Sequence, residues 1–242
     1  MTARVAGLGL WTPRAPSVDA WRAGGLETPA DEPPAALLGP RLRRRASLLS
    51  RLTCEALGQA LTAAGADPAK VVMVLGSVRG ELETTVALLD QLARGEVLSP
   101  ALFTNSVQNA ALGLASIAAG NRAPSTTVAA GPATVAMALL EGLGLLAARG
   151  ADVAVVLADE PLPAPFAGEP GASLAAALLL RAGGPGPGLR LVRRAASATR
   201  AVDVANPVAP ALALVDALLV GGPAVVALEA GDDDVWCAEV SP

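Results

Sequence analysis

Nucleophilic chemistry in this 242-residue chain would have to start from few side chains, since it contains two cysteines and no histidine. Cys54 and Cys237 share no CxxC or Cys/His spacing, so neither a metal site nor a disulfide framework is expected, and a reduced, cytoplasmic setting fits best. Cys54 falls near the apolar face of a helical stretch, where a cysteine serves as a small core residue. Ser125 and Thr134 flank "STTVAAGPAT", yet a hydroxyl with no imidazole beside it stays protonated and weak. A self-sufficient hydrolase or acyl-transferring enzyme built on Thr134 or Cys54 is therefore the competing reading. The conspicuous charges are arginines, at Arg41, Arg43, Arg44, Arg45 and Arg51 of "RLRRRASLLSRL". Such a run usually solvates a helix start, but against an acidic background it can also receive an acidic partner.

Periodicity places these residues on alternating strands and helices. Arg4–Leu10 reads as a first strand, and Val18–Pro40 as a Pro-, Ala- and acid-rich connection with one short helix. From Arg41 to Ala64, Leu48, Leu49, Leu52, Ala56, Leu57 and Leu61 recur at helical spacing, and Gly65 offers a stop. "VVMVLG" is a wholly apolar strand, which predicts helices on both sides of its sheet. Helices are then expected over Glu81–Ala93 and Gln108–Ala119, with loop chemistry at "LSPALFTNS" between them. A strand over Thr126–Ala129 leads through Gly131-Pro132-Ala133 into a helix over Pro132–Arg149. There Val135, Leu139, Leu143 and Leu146 form one stripe, and Gly142 and Gly144 permit close approach by a neighbour. "ADVAVVLAD" and "ASLAAALLLRA" follow as strands, the second Ala-rich enough to be helical, which completes a βαβαβαββ order. After "GGPGPG" the composition changes. "LRLVRRAASATR" reads as an edge strand with one basic face, followed by a helix near Val208–Leu219 and strands at "AVVALEA" and "VWCAEV" around Asp232-Asp233-Asp234. This divides the chain into a main unit, 1–183, and a shortened C-terminal unit, 184–242, packed on it.

Composition narrows the function. With 52% hydrophobic and only 2% aromatic residues, the core must be Leu, Val and Ala on a buried sheet. A net charge of −4 with Lys70 the only lysine argues against nucleic-acid binding, which needs a basic face. No membrane span is expected either, because the long uncharged stretches Ser99–Asn121 and Ala123–Leu140 are interrupted by Asn, Gln, Ser, Gly and Pro.

Six anchors in order, Ser99-Pro100, Asn109-x-x-x-Gly113-x-x-Ser116, Ala123-Pro124, "STTVAAG", the following helix and "RGADVAVV", resemble the β-ketoacyl synthases of the thiolase-like fold. More narrowly, "GELETTVALLDQLARGEVLSP", "NSVQNAALGLASIA", "RAPSTTVAAG" and "ADEPLPAPF" resemble the half-length, synthase-like chain-length factors of aryl polyene clusters. The second resemblance covers the chain nearly to Leu180. It implies a thiolase-like α/β fold and places Ala133 where the family carries its nucleophilic Cys. The family needs a helix-stabilised thiolate there, together with two His, or His and Asn, for oxyanion stabilisation and decarboxylation. This chain has neither, and it lacks the family's Gly-rich loop.

What the resemblance implies is a non-catalytic subunit that pairs with a full-length β-ketoacyl-ACP synthase and bounds its acyl tunnel. The alternative on the same fold is a homodimeric carrier-protein binding module. The strand with Thr126, Thr127 and Val128 would pair across a pseudo-twofold axis. Leu82, Thr85, Val86, Leu89, Leu102, Phe103, Val107 and Asn109 would line the interface or the tunnel. Arg43, Arg44, Arg45 and Arg51 would meet an acyl carrier protein. No cofactor of its own is expected, since phosphopantetheine would arrive on the carrier.

Overall fold

An eight-stranded mixed sheet runs through the computed structural model, which describes residues 2–164, 166, 171–195, 205–230 and 234–242. The elements are β1 (Thr2–Trp11), α1 (Val18–Arg22), α2 (Pro40–Arg43), α3 (Leu48–Ala64), β2 (Val72–Gly76), α4 (Leu82–Ala93), α5 (Pro100–Asn105), α6 (Ala110–Ala119) and β3 (Ser125–Val128). A 3-10 turn (Gly131–Ala133) leads to α7 (Thr134–Arg149), β4 (Val153–Asp159), β5 (Leu174–Arg181), β6 (Gly188–Ala195), α8 (Pro210–Val220), β7 (Ala224–Ala227) and β8 (Asp234–Ser241). Across the sheet the order is β3-β2-β4-β5-β1-β6-β8-β7. β2 lies parallel to β3 and β4, and every later neighbour pair is antiparallel. The expected βαβαβαββ succession is thus the one that folds, and "ASLAAALLLRA" resolves as strand β5.

β2, β4 and nearly all of β5 are buried on both faces, which is why they read as unbroken apolar runs. Alternate residues of β2 serve different cores: Val72 and Val74 belong to the one that includes α7 and α8, while Met73 and Leu75 belong to the one that includes α3 and α6. Two close approaches depend on glycine. A Cβ on Gly7 or Gly9 would sit 2.2 or 2.0 Å from the carbonyl oxygens of Ala60 and Ala56, so α3 lies directly on β1. A Cβ on Gly142 would lie 2.4 Å from Val155 Cγ2, so α7 lies directly on β4.

Several expectations are corrected. The single helix over Arg41–Ala64 is two, because Ser47 starts α3 afresh by accepting a hydrogen bond from the Ser50 N–H (3.0 Å); serine favours such a cap over continuing a helix. The stop at Gly65 is as expected, with φ +59°. Gly144, unlike Gly142, faces open space. The basic strand is not a sheet edge: β6 pairs with β8 along its length and with β1 at Gly188–Arg190, leaving β3 and β7 as the outer strands. Arg190 and Arg194 share one face of β6 and both pair with Glu239, while Arg193 lies 5.5 Å from the Trp236 ring centroid. Residues 196–200 of that expected strand, and Asp232 and Asp233, lie outside the described residues.

Gly131–Arg149 is long and apolar enough to cross a membrane by composition. In the fold it is a core helix whose Val135, Leu139, Leu143 and Leu146 are buried against the sheet.

Candidate functional site

β3 hands the chain to α7 through a tight elbow in which Gly131 takes the left-handed conformation, φ +55°, that glycine tolerates best. Ala133 closes the turn at the first end of α7, half-buried, with only a methyl group to offer. Beside it Thr134 is fully buried, and its hydroxyl is engaged twice: it accepts from the Ala130 N–H (2.9 Å) and donates to the Gly131 carbonyl (2.8 Å). It therefore staples the elbow. Ser125 is exposed at the opposite end of β3. Cys54 lies on the core face of α3, where burial, reinforced by the Glu55 charge, pushes its thiol up to about 12. A thiol so protonated is inert. Burial also raises the Cys237 thiol.

Sequence reading missed a buried acidic cluster where β2 and β4 end. Asp159 closes β4, and its carboxylate accepts from the Ser77 hydroxyl (2.8 Å) and from the N–H groups of Val78 and Arg79 (2.9 Å each). Glu81, before α4, accepts from the hydroxyls of Ser47 (2.8 Å), Ser50 (3.3 Å) and Thr84 (3.3 Å). Glu160 accepts from the Glu83 N–H (3.1 Å), and its other oxygen is buried without a partner. Burial raises all three carboxyls above their usual range; for Glu160, with Glu81 and Glu83 adding repulsion, the value reaches about 7. The signal was available, since Asp-Glu at the end of a wholly apolar strand cannot be solvated without leaving the core. Asn206 and Asn121 were missed as well. Asn206 donates to the carbonyls of Asp159 (3.0 Å) and Ala172 (2.8 Å), and Asn121 to those of Pro68 (2.7 Å) and Val71 (2.8 Å).

The interface and tunnel candidates lie on one stretch of surface elements, not around a closed cavity. On α4, Leu82, Thr85 and Val86 are half-buried, and Leu89 is 57% exposed. α5 starts at Ser99, whose hydroxyl caps the Leu102 N–H (3.4 Å), and it leaves Leu102 half-buried and Phe103 61% exposed. Val107 and Asn109 follow, both exposed, and Asn109 starts α6 with no side-chain cap. Thr126, Thr127 and Val128 lie half-buried on β3, which is paired to β2 alone; the Thr127 hydroxyl has no partner. A cavity of about 720 Å³ opens elsewhere, between β1, α1, α3 and α8, and includes none of these residues.

The arginines divide. Arg43 donates to the Leu38 carbonyl (3.0 Å) and Arg51 pairs with Glu32, so both are half-buried and engaged. Arg44 and Arg45 are exposed in the turn between α2 and α3, with Arg41 exposed nearby. Asn105 of α5 ties this turn down through the Arg45 carbonyl (2.7 Å).

Against known proteins, residues 18–231 match the model of the β-ketoacyl synthase N-terminal domain. No curated protein matches the chain. Among solved structures, the chain is similar to one from the ketosynthase ApeO in complex with its chain length factor ApeC from Xenorhabdus doucetiae. The TM-score is 0.76 at 24% identity, covering 99% of both chains. A chain of the type II polyketide synthase complex AntDE:AntF, a ketosynthase bound to the hexaketide with its acyl-carrier protein, gives 0.72 at 15% identity, again over 99% of both. The ishigamide ketosynthase/chain length factor gives 0.65 at 19% identity, over 81% of this chain and 68% of that one.

Proposed function

The chain belongs to the β-ketoacyl synthase family, and on that premise we propose that it is a non-catalytic, chain-length-factor-like subunit pairing with an active, full-length β-ketoacyl-ACP synthase. The observation that carries this reading is the elbow. By the resemblance, Ala133 takes the family's nucleophile position, and the adjacent Thr134 hydroxyl is committed to two backbone groups. Nowhere does the chain supply an imidazole, and acyl transfer at such an elbow needs both an activated nucleophile and a stabilised oxyanion.

The outer surface supports the partner. Leu89 and Phe103, with Leu92 and, in the connection between α4 and α5, Val97 (62% and 94% exposed), are exposed apolar side chains that are costly to leave in water. β3 presents an unpaired strand edge in the same half of the sheet. In this reading β3 continues the sheet into the synthase, and α4 and α5 close its tunnel. The exposed Arg44 and Arg45, backed by Arg43 and Arg51, meet the acidic carrier that brings phosphopantetheine, in the cytoplasm. The aryl polyene resemblance of the segments around α4, α6 and β3 makes the bounded product a polyene.

Co-expression with a tagged full-length synthase tests the reading. A stable 1:1 pair that elongates carrier-bound acyl chains, from two subunits of which this one is silent alone, is expected. Turnover by the isolated chain would favour the stand-alone enzyme, and a self-associating chain that ignores the synthase would favour the carrier-binding module.

A further inference from the structure

Only Thr84 and Leu88 of α4 are buried, so little apolar contact holds this helix in place. Its first turn is held by polar groups instead. Glu81 links it to Ser47 and Ser50 at the start of α3, and Glu160, at the end of β4, accepts from the Glu83 N–H. Glu160 is 2% exposed and its Oε2 has no partner. The charges facing it are Glu81 and Glu83 from α4. Asp159 precedes it, already engaged by Ser77, Val78 and Arg79. The nearby cation, Arg79, donates to the Glu160 backbone carbonyl (2.8 Å), not to its carboxylate. From α3, among the described residues, come the Ser47 and Ser50 hydroxyls, held by Glu81, and the Leu49 N–H, which favours the charged form but does not reach Oε2 in hydrogen-bond geometry, so burial and the two acids outweigh it.

We propose that Glu160 is a proton-operated latch on α4: as the neutral acid it seats the helix, and as the carboxylate it faces two further acids without a counter-charge and loosens it. A buried carboxylate with one oxygen unpartnered is the costly state, and moving α4 away relieves it. The bearing of the latch on assembly rests on the reading of α4 as a partner-facing helix; the latch itself does not.

The direction follows from linkage. The Glu160 carboxyl sits near 7 when latched and in the ordinary carboxylate range when released, so the latched form holds the extra proton between those values. Opening therefore becomes easier, by up to about tenfold per pH unit, as pH rises toward neutrality, and it levels off above.

Hydrogen exchange of the α4 amides in the full chain, corrected for intrinsic rates across that range, tests this without any partner. Wild type should lose protection with rising pH and then level, and Glu160→Gln should make the profile shallower, leaving only the part that Glu81 and Asp159 contribute. An equal slope in both proteins overturns the latch. Should Glu160→Gln fail to fold, the exposed Glu83→Gln removes one repelling charge and should move the levelling point to lower pH; an unmoved profile again overturns the latch. Affinity for the synthase should fall over the same interval. A latch profile in the lone chain with pH-independent affinity would keep the latch and remove α4 from the interface.

Discussion

Replacing Thr134 separates a staple from a nucleophile. Thr134→Val takes the acceptor from the Ala130 N–H and should lower stability by about 1–2 kcal/mol in urea unfolding. A threonine used for catalysis would instead lose turnover with the fold intact. Ala133→Cys places a thiol at the start of α7, where the helix dipole favours the thiolate. It should alkylate readily with iodoacetamide yet produce no condensation, because the oxyanion and decarboxylation groups are still missing. The acidic cluster sets a pH dependence. Glu81, Asp159 and Glu160 are all raised in the fold, so the folded state keeps protons that the unfolded state releases. Stability should thus fall as pH climbs from the carboxylate range to about 7, seen as a lower urea midpoint at neutral than at mildly acid pH. Asp159-Glu160 was visible at the end of an apolar run, but the cluster was not, because the partners Ser47, Ser50 and Ser77 come from distant segments.

Helices and strands were largely legible, and the reasons are local. The stripe of α7, the stop at Gly65 and the apolar runs of β2 and β4 each declare themselves within a few residues. What did not show was competition between neighbours: Ser47 outbids helix continuation after Arg43, and β6 becomes an inner strand because the N-terminus of β1 pairs with it. Gly142 carries a prediction at this scale. Gly142→Ala drives a methyl group into Val155 and should cost about 1–3 kcal/mol, whereas Gly144→Ala, facing open space, should be tolerated or mildly stabilising. If Leu102 or Phe103 closes the tunnel of a reconstituted pair, as proposed, Leu102→Ala or Phe103→Ala should lengthen the product, since removing an end wall changes where growth stops more than how fast each step runs. Unchanged length in both variants, with the complex intact, would leave α4 as the remaining candidate wall.

At the scale of the molecule, one sheet carries two different ends. At the β3 end the outer strand lies parallel to its neighbour and carries the half-buried Thr126 and Thr127; at the β7 end it lies antiparallel, with α8 packed against it. That difference was not readable from composition, which gives apolar content but not the order or direction of the strands. The central claim is that acyl chemistry belongs to a partner and its limit to this chain. Native mass spectrometry of the chain co-purified with a full-length synthase, after incubation with an acyl-carrier thioester, tests it most directly. The account predicts a 1:1 complex with the acyl group covalently on the synthase and this chain at its unmodified mass. An acyl adduct on this chain at Thr134 or Cys54, or two proteins that fly apart as separate species at micromolar concentration, would contradict it.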